Sequence, residues 1–209
     1  MKRKIIFPTL ILCLGMLNAC GAARPSKYYD LTVPGGGTLE PDPPPYPITL
    51  LLGRLTTSEL YRDDQIVYTS DGQAMGAYKY HKWSEPPSDM IDDVLLRELQ
   101  VSGRYQNVYL LRSDVRGDYL LRGHLYDLRE IDGKALSVRV AFEFDLRDVK
   151  TGSTVWSRYY SHDEAVSGRD VSAVVAAMDR NVQDGLREVT DGLDQYFSAH
   201  SAVLSTATH

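Results

Sequence analysis

The residue whose type and position most clearly indicate a chemical modification is Cys20, which ends the tetrapeptide Leu17-Asn18-Ala19-Cys20. An apolar run over residues 5–17 precedes it, and this run follows the basic residues 2–4. A positive segment, a short apolar segment and small residues at the end are the parts of a secretory signal. A cysteine at this point is typical of bacterial lipoproteins, in which the thiol takes a diacylglycerol and the new amino terminus is acylated. We therefore expect a signal peptide over residues 1–19 and lipid attachment at Cys20.

The alternative is an ordinary cleaved signal with an incidental cysteine. Cys13 is a poor rival to Cys20 as the lipid-attachment residue, because the bulky Leu12 precedes it. Removal of residues 1–19 from the 209-residue chain would leave 190, enough for one domain with a sizeable core. The three basic residues would leave with the signal, so the formal net charge would fall from −5 to −8. This acidic balance disfavours nucleic acid and anionic membrane surfaces as ligands. No later apolar run approaches membrane-spanning length, so the lipid is the predicted membrane anchor.

The sequence has no arrangement that predicts catalysis. It lacks the Gly-x-Ser-x-Gly elbow, the phosphate-binding glycine loop and the His-Glu-x-x-His helix. The carboxylate pairs Asp63-Asp64 and Asp92-Asp93 are adjacent residues, which do not face one another on a strand or a helix. A hydrolase with an unfamiliar site would need a nucleophile beside a base, and the scattered histidines do not suggest one. We expect no enzyme activity, no metal site and no cofactor.

Aromatic residues crowd the first predicted hairpin and its flank: Tyr61, Tyr68, Tyr78, Tyr80 and Trp83. One interpretation is that these side chains belong to the core and that their polar ends reach the edge of the domain. The other is a contact surface for a protein partner, because exposed tyrosine and tryptophan serve interfaces well. We keep both interpretations open and treat the five as candidate partner-binding residues.

Two glycine-containing turns predict antiparallel hairpins. Asp71-Gly72 lies between strand-like residues 65–70 and 74–80, and a two-residue turn there places Asp64 opposite Lys79.

The second turn, Asp132-Gly133, lies within the strongly alternating segment 118–148. A two-residue turn there places Gly123 opposite Phe142 and Arg122 opposite Glu143. A third strand is expected over residues 154–160.

Two helices are predicted. The first begins at Pro86-Pro87 and ends near Gly103, and the second follows Asp170 as a cap and runs for about 27 residues. Gly185 and Gly192 lie on one side of the second helix and would allow close approach to the sheet or to a neighbouring subunit. The fold class expected is α+β: a largely antiparallel sheet with two helices packed on one face, including a long C-terminal helix.

These elements form one domain over residues 28–200, preceded by the lipidated cysteine and a short tether, 20–27. A Pro/Gly-rich loop is expected at 34–47, and a disordered tail at 201–209.

Several motifs then point to a family. They are Glu59–Tyr68, Tyr78-Lys79-Tyr80, Trp83-Ser84-Glu85-Pro86-Pro87, Gly117–Gly123 and Asp148-x-x-Thr151-Gly152-x-x-x-Trp156-Ser157. Their order and spacing resemble the ABC-type transport auxiliary lipoprotein family, in particular its PqiC-like members. The resemblance covers residues 28–197, nearly the whole expected mature chain.

The resemblance implies a non-catalytic periplasmic lipoprotein of an ABC-type lipid transport system of the mammalian-cell-entry class. The implied partners are the periplasmic mammalian-cell-entry-class substrate-binding protein, with the ABC permease and ATPase of the same system, and the membrane through the lipid anchor. Gly21 after Cys20, rather than aspartate, is compatible with the periplasmic face of the outer membrane. The alternative is a lipid-carrying or envelope-scaffold lipoprotein that holds a phospholipid between the sheet and the long helix. A homo-oligomer is left open.

Overall fold

The computed structural model of the protein describes residues 24–33, 35, 44–70, 72–112 and 114–200. The predicted signal peptide, Cys20, the predicted tail and most of the Pro/Gly-rich loop lie outside these residues.

Along the described part of the chain, five strands precede the first helix and four strands lie between it and the second helix. The strands are β1 (Lys27–Tyr29), β2 (Tyr46–Leu52), β3 (Thr56–Thr57), β4 (Gln65–Thr69), β5 (Met75–Trp83), β6 (Tyr105–Leu110), β7 (Tyr119–Asp132), β8 (Leu136–Asp148) and β9 (Thr154–Ala165). The helices are α1 (Pro87–Val101) and α2 (Val171–Ala199), and a 3-10 turn covers Glu59–Tyr61.

The long strand β7 organises the sheet. One of its edges pairs antiparallel with β8, which pairs antiparallel with β9. Its other edge receives β2, β3 and β4 one after another, all parallel to it. Beyond them β2 pairs parallel with β6, β4 pairs antiparallel with β5, and β5 pairs parallel with β1.

The α+β class is therefore confirmed, and the sheet is mixed rather than purely antiparallel. The physical reason is the length of β7, whose 14 residues offer three successive pairing sites along one edge. Three shorter strands that run in the same direction occupy those sites.

The first hairpin forms, but its predicted register is wrong. The ladder closes at Thr69 opposite Met75, because the turn is longer than two residues. The Thr69 hydroxyl accepts from the Gly72 amide at 3.0 Å and donates to the Ala74 carbonyl at 2.8 Å, which stabilises the wider turn. Asp64 consequently pairs with Lys82, not Lys79: Lys82 Nζ lies 2.9 Å from its Oδ1.

The second hairpin also forms in a register different from the predicted one. Asp132 pairs with Leu136 across three intervening residues, and Tyr126 is an extra residue in β7. Gly123 therefore faces Phe144 instead of Phe142, and Arg122 faces Asp145 instead of Glu143. In this half of the hairpin the displacement is two residues, so every side chain keeps the face that alternation predicted.

The two helices bury their apolar stripes in one continuous core against the sheet. Ile91 and Leu95 of α1, Leu186 and Leu193 of α2, and Phe142 of β8 are all fully buried members of this core. The predicted layer of two helices on one sheet face is confirmed. The third strand is confirmed as well, although β9 extends to Ala165.

The helix boundaries follow the predicted signals. The Asp170 carboxylate accepts from the Ala173 amide at 2.8 Å and caps α2, and Gly103 adopts a φ of +61° just after α1. A Cβ added to Gly185 would lie 2.5 Å from Phe142 Cζ, and one added to Gly192 would lie 2.8 Å from Trp156 Cζ2. Both glycines thus serve close approach to the sheet, and neither gives a reason to expect subunit contacts.

Candidate functional site

The five predicted partner-binding aromatics do not share one environment. Tyr61 is 2% exposed and Trp83 1% exposed, so neither side chain can reach a partner. The Tyr61 hydroxyl donates to Oδ1 of Asp127 at 2.8 Å, which satisfies its polar tip inside the protein. For these two residues the core interpretation holds and the partner-binding prediction is corrected.

Tyr68, Tyr78 and Tyr80 are half-buried. The rings of Tyr68 and Tyr78 lie 5.1 Å apart, and the Tyr78 hydroxyl donates to Oε2 of Glu130 at 2.8 Å. Burial raises the pKa values of both Tyr78 and Glu130. This bond reaches from β5 across β4 to β7, so the buried side of the cluster stabilises the sheet.

A row of polar and aromatic side chains crosses the helix-free face of the sheet. Thr56 of β3 pairs with His124 of β7, His124 pairs with Glu143 of β8, and Glu143 pairs with Tyr159 of β9. Directly opposed residues of neighbouring strands place their side chains on the same face. Four strands therefore contribute one continuous row.

Tyr126 lies over this row because it is the extra residue of the β7 bulge, and bulges re-aim side chains. Its ring is 4.5 Å from that of His124 and 5.9 Å from that of Tyr159. Its hydroxyl donates to Oε2 of Glu143 at 3.0 Å, and this hydrogen bond raises the pKa of the Tyr126 phenol. Tyr126 and Tyr159 are nevertheless 49% and 57% exposed. We call His124, Tyr126, Glu143 and Tyr159 the tyrosine face.

The tyrosine face offers contact chemistry rather than a catalytic arrangement. Thr56 Oγ1 lies 2.8 Å from Nδ1 of His124, a spacing that a nucleophile and its base would also show. The same hydroxyl donates to the Gly123 carbonyl at 3.0 Å, which leaves its oxygen to accept from Nδ1. The pair thus ties β3 to β7.

Sequence reasoning did not select Tyr126 and Tyr159. The available signal is that both are large aromatic residues at outward-facing positions of alternating strands, where polar residues are usual. Recognising their contact also requires the bulge, which the alternation does not reveal.

Across residues 24–200, as far as they are described, no group of three or more His, Cys, Asp or Glu side chains could hold a metal ion. The helices in that same part are too short or too polar to cross a membrane.

The space between the sheet and α2 is filled by protein. Phe142 and Tyr160 press against Gly185 so closely that a Cβ would lie within 2.7 Å of either ring. A cavity of about 340 Å³ beside this contact is lined by polar and charged groups that include Asp184, Arg187 and Glu188. A phospholipid tail requires an apolar slot, so this packing opposes the alternative in which a lipid lies between the sheet and the long helix.

Comparison with known proteins identifies the family. The model of the ABC-type transport auxiliary lipoprotein component matches residues 29–190. A crystallised protein from Xanthomonas campestris superposes with a TM-score of 0.72 at 19% identity, covering 84% of this chain and 99% of its own. A hypothetical protein from Chlamydia trachomatis superposes with a TM-score of 0.50 at 8% identity, covering 73% of this chain and 99% of its own.

At these identities the solved structures establish a shared fold and nothing more. No curated protein matches the sequence. The family model, in contrast, spans most of the chain and includes α1, the entire β7–β9 meander and α2 as far as residue 190. The chain therefore belongs to the ABC-type transport auxiliary lipoprotein family.

Proposed function

We propose that this protein is the lipid-anchored subunit of a mammalian-cell-entry-class lipid transport system and binds the periplasmic substrate-binding component of that system. Membership of the family supports a non-catalytic auxiliary role in ABC-type transport. Acylation of Cys20, the periplasmic face of the outer membrane and association with the system's permease and ATPase complete the proposal.

The observation that carries the proposal is how the segment after Cys20 joins the domain. β1 begins only seven residues beyond Cys20, and it pairs with β5. Shortly after β1, the amide and hydroxyl of Thr32 donate to the Asp179 carboxylate of α2 at 2.9 and 2.7 Å. The segment is thus fastened to both the sheet and the long helix. A lipid at Cys20 would hold the whole domain at a defined place on the bilayer, as a docking subunit requires.

The tyrosine face is the docking surface in this proposal. Tyr126 is pre-oriented by its hydrogen bond to Glu143 and by ring contacts on two sides, so binding would cost little side-chain entropy. Exposed tyrosines of this kind are enriched among the residues that contribute most to protein interfaces. The surface also lies on the helix-free side of the sheet, where a partner can reach it.

Photo-crosslinking in cells tests the proposal. A photoreactive phenylalanine derivative is placed at position 159, and in a separate control at position 109 on β6. Tyr109 is a suitable control because it is also a strand tyrosine and is 46% exposed. We expect position 159 to crosslink a mammalian-cell-entry-class protein and position 109 not to do so. Equal crosslinking at both positions, or only unrelated products at 159, would contradict the assignment.

A separate measurement tests the acylation of Cys20. The intact mass of the protein extracted from membranes should show a chain that begins at Cys20 and carries acyl groups. An unmodified Cys20 would contradict the lipid-anchored part of the proposal.

A further inference from the structure

The strand β5 contains a large bulge beside the first described residues of the chain. Val67 of β4 pairs with Ala77 of β5, and Gln65 pairs with Lys82. Between these two pairs β4 has the one residue Ile66, whereas β5 has the four residues Tyr78–His81. These four residues leave the ladder with β4. Together with Arg24, Pro25 and Lys27 they enclose an open concavity of about 530 Å³. We call this concavity the bulge cleft.

The bulge cleft presents positive charge and tyrosine rings. Its cations are Arg24, Lys27 and Lys79, and within the described residues none of them forms an ion pair with a carboxylate. The Arg24 guanidinium carbon lies 5.9 Å from the centroid of the Tyr80 ring, and Lys79 Nζ lies 5.3 Å from it. Tyr80 therefore holds two cations close together.

Two of the carboxylates nearby are already engaged with other groups. Glu130 lies behind the cleft, where it is buried and accepts the hydroxyl of Tyr78. Asp64 is paired with Lys82, the cation next along β5. Three cations without an ion-pair partner among the described residues thus share one concavity in a chain whose formal net charge is −5, and this local excess of positive charge marks the cleft as a site for an anion.

The position of the cleft identifies the source of that anion. Arg24 is four residues beyond Cys20, a distance of at most about 14 Å along an extended chain. Phosphate headgroups begin within that distance of an acyl anchor. Tyr28, which follows Lys27 on β1, is 63% exposed, and tyrosine is enriched at membrane–water interfaces.

We propose that the bulge cleft binds the headgroups of anionic phospholipids in the leaflet in which the Cys20 lipid is inserted. The inference rests on the proposed lipid attachment. It adds a second membrane contact, which fixes the rotation of the domain about its anchor. Cations close to an anionic surface each raise the local affinity by about fivefold. The acidic remainder of the surface would then be repelled from the bilayer, so the β1–β5 edge faces the membrane.

Hydrogen exchange in proteoliposomes tests this orientation. The mature protein is purified from membranes, its acylation is verified by intact mass, and it is reconstituted in phosphatidylcholine vesicles with or without phosphatidylglycerol. Residues 78–80 report on the cleft because they have no ladder partner in β4 or β1. We expect phosphatidylglycerol to slow their amide exchange about fivefold or more, and high salt to reverse the effect.

The matched variants separate a headgroup contact from a general charge effect. Lys27→Gln with Lys79→Gln should abolish the slowing. Arg116→Gln with Lys150→Gln removes the same charge from two loops beside Tyr119 and Asp148, at the opposite end of β7 from its pairing with β4, and should retain the slowing. Exchange unaffected by phosphatidylglycerol in an acylated protein would overturn the inference alone. A protein without acyl groups would overturn the anchor and the inference together. Equal protection by inorganic phosphate in detergent micelles would assign the cleft to a soluble phosphate and overturn the membrane contact.

Discussion

Asp92 is a buried carboxyl group on α1 whose charge opposes folding. Its two carboxylate oxygens share one donor, the Leu55 amide, at 3.2 and 3.0 Å. Burial raises the pKa of Asp92 to about 7, although the Leu55 hydrogen bond and Arg54 act in the opposite direction. A group whose pKa is higher in the folded state contributes stability at low pH and loses it as the pH rises through the folded value.

The free energy of unfolding should therefore decrease between pH 5 and pH 8, by on the order of 2 kcal/mol from Asp92. Asp92→Asn keeps an acceptor for Leu55 but cannot ionise, so its stability should fall less over this range. Urea unfolding at several pH values measures the difference. Asp93→Asn, an exposed neighbour on the same helix, is the control and should follow the wild type. Identical pH profiles for wild type and Asp92→Asn would show that Asp92 stays ionised in the folded protein.

Gly185 is a second residue whose environment makes a sharp prediction. Alanine normally stabilises a helix interior by about 1 kcal/mol relative to glycine. Here its methyl group would enter the rings of Phe142 and Tyr160, and overpacking of this kind costs about 1–3 kcal/mol. We expect Gly185→Ala to lower the denaturation midpoint, and Gly185→Leu to lower it further.

The control for this prediction is Gly133→Ala in the β7–β8 turn. The nearest atom to a Cβ there is the Ala135 carbonyl oxygen at 3.9 Å, so little change is expected. A Gly185→Ala protein more stable than the wild type would mean that α2 can move away from the sheet at low cost.

At the scale of elements, the joint between β1 and α2 is the feature with the clearest mechanical consequence. Three hydrogen bonds connect Thr32, three residues after β1, to α2: Thr32 donates twice to Asp179, and the Gln183 side chain donates to the Thr32 carbonyl at 2.6 Å. Asp179→Ala removes the acceptor of two of them. Because the contact lies at the surface, the core should not change.

We expect Asp179→Ala to speed amide exchange over residues 27–33 with little change in the unfolding midpoint. Asp184→Ala, which removes a carboxylate of the same helix that is paired with Arg187, serves as the control. Unchanged exchange over residues 27–33 would mean that pairing with β5 alone holds the segment.

Elements were predictable where a local signal specifies them. The Asp170 cap, the Pro87 start of α1 and the alternation of β7 and β8 are such signals, and all three gave the correct element. The register of the second hairpin was wrong because turn length and the Tyr126 bulge change the pairing without changing the alternation. The prediction that Gly123 lies under an aromatic ring was right in kind, but the ring belongs to Phe144.

The parallel pairing of β2, β3 and β4 with β7 was not predictable in the same way. These contacts join segments far apart in the chain, and no short turn connects the paired strands to indicate that they pair. The burial of Tyr61 depends on the same arrangement, because its partner Asp127 lies on β7. Candidate contact residues chosen by composition alone therefore included the core residues Tyr61 and Trp83 and did not include the exposed Tyr126 and Tyr159.

At the scale of the whole molecule, the proposed anchor and the proposed docking surface occupy different parts of the fold. The segment after Cys20 joins the sheet through β1 and β5, whereas the tyrosine face spans β7, β8 and β9. Membrane attachment and partner binding can then occur together. This arrangement suits an auxiliary subunit that holds a periplasmic component near a membrane.

The measurement that tests this account most directly is affinity purification of the full-length tagged lipoprotein from its own membranes, followed by mass spectrometry. We expect the wild type and Tyr109→Ala to recover a mammalian-cell-entry-class protein, with or without its permease. Tyr126→Ala with Tyr159→Ala should lose about 2 kcal/mol or more of binding energy, a loss of at least about thirtyfold in affinity, while remaining folded and acylated. Recovery of only unrelated envelope proteins by the wild type would contradict the transport role and leave the fold and family assignment standing.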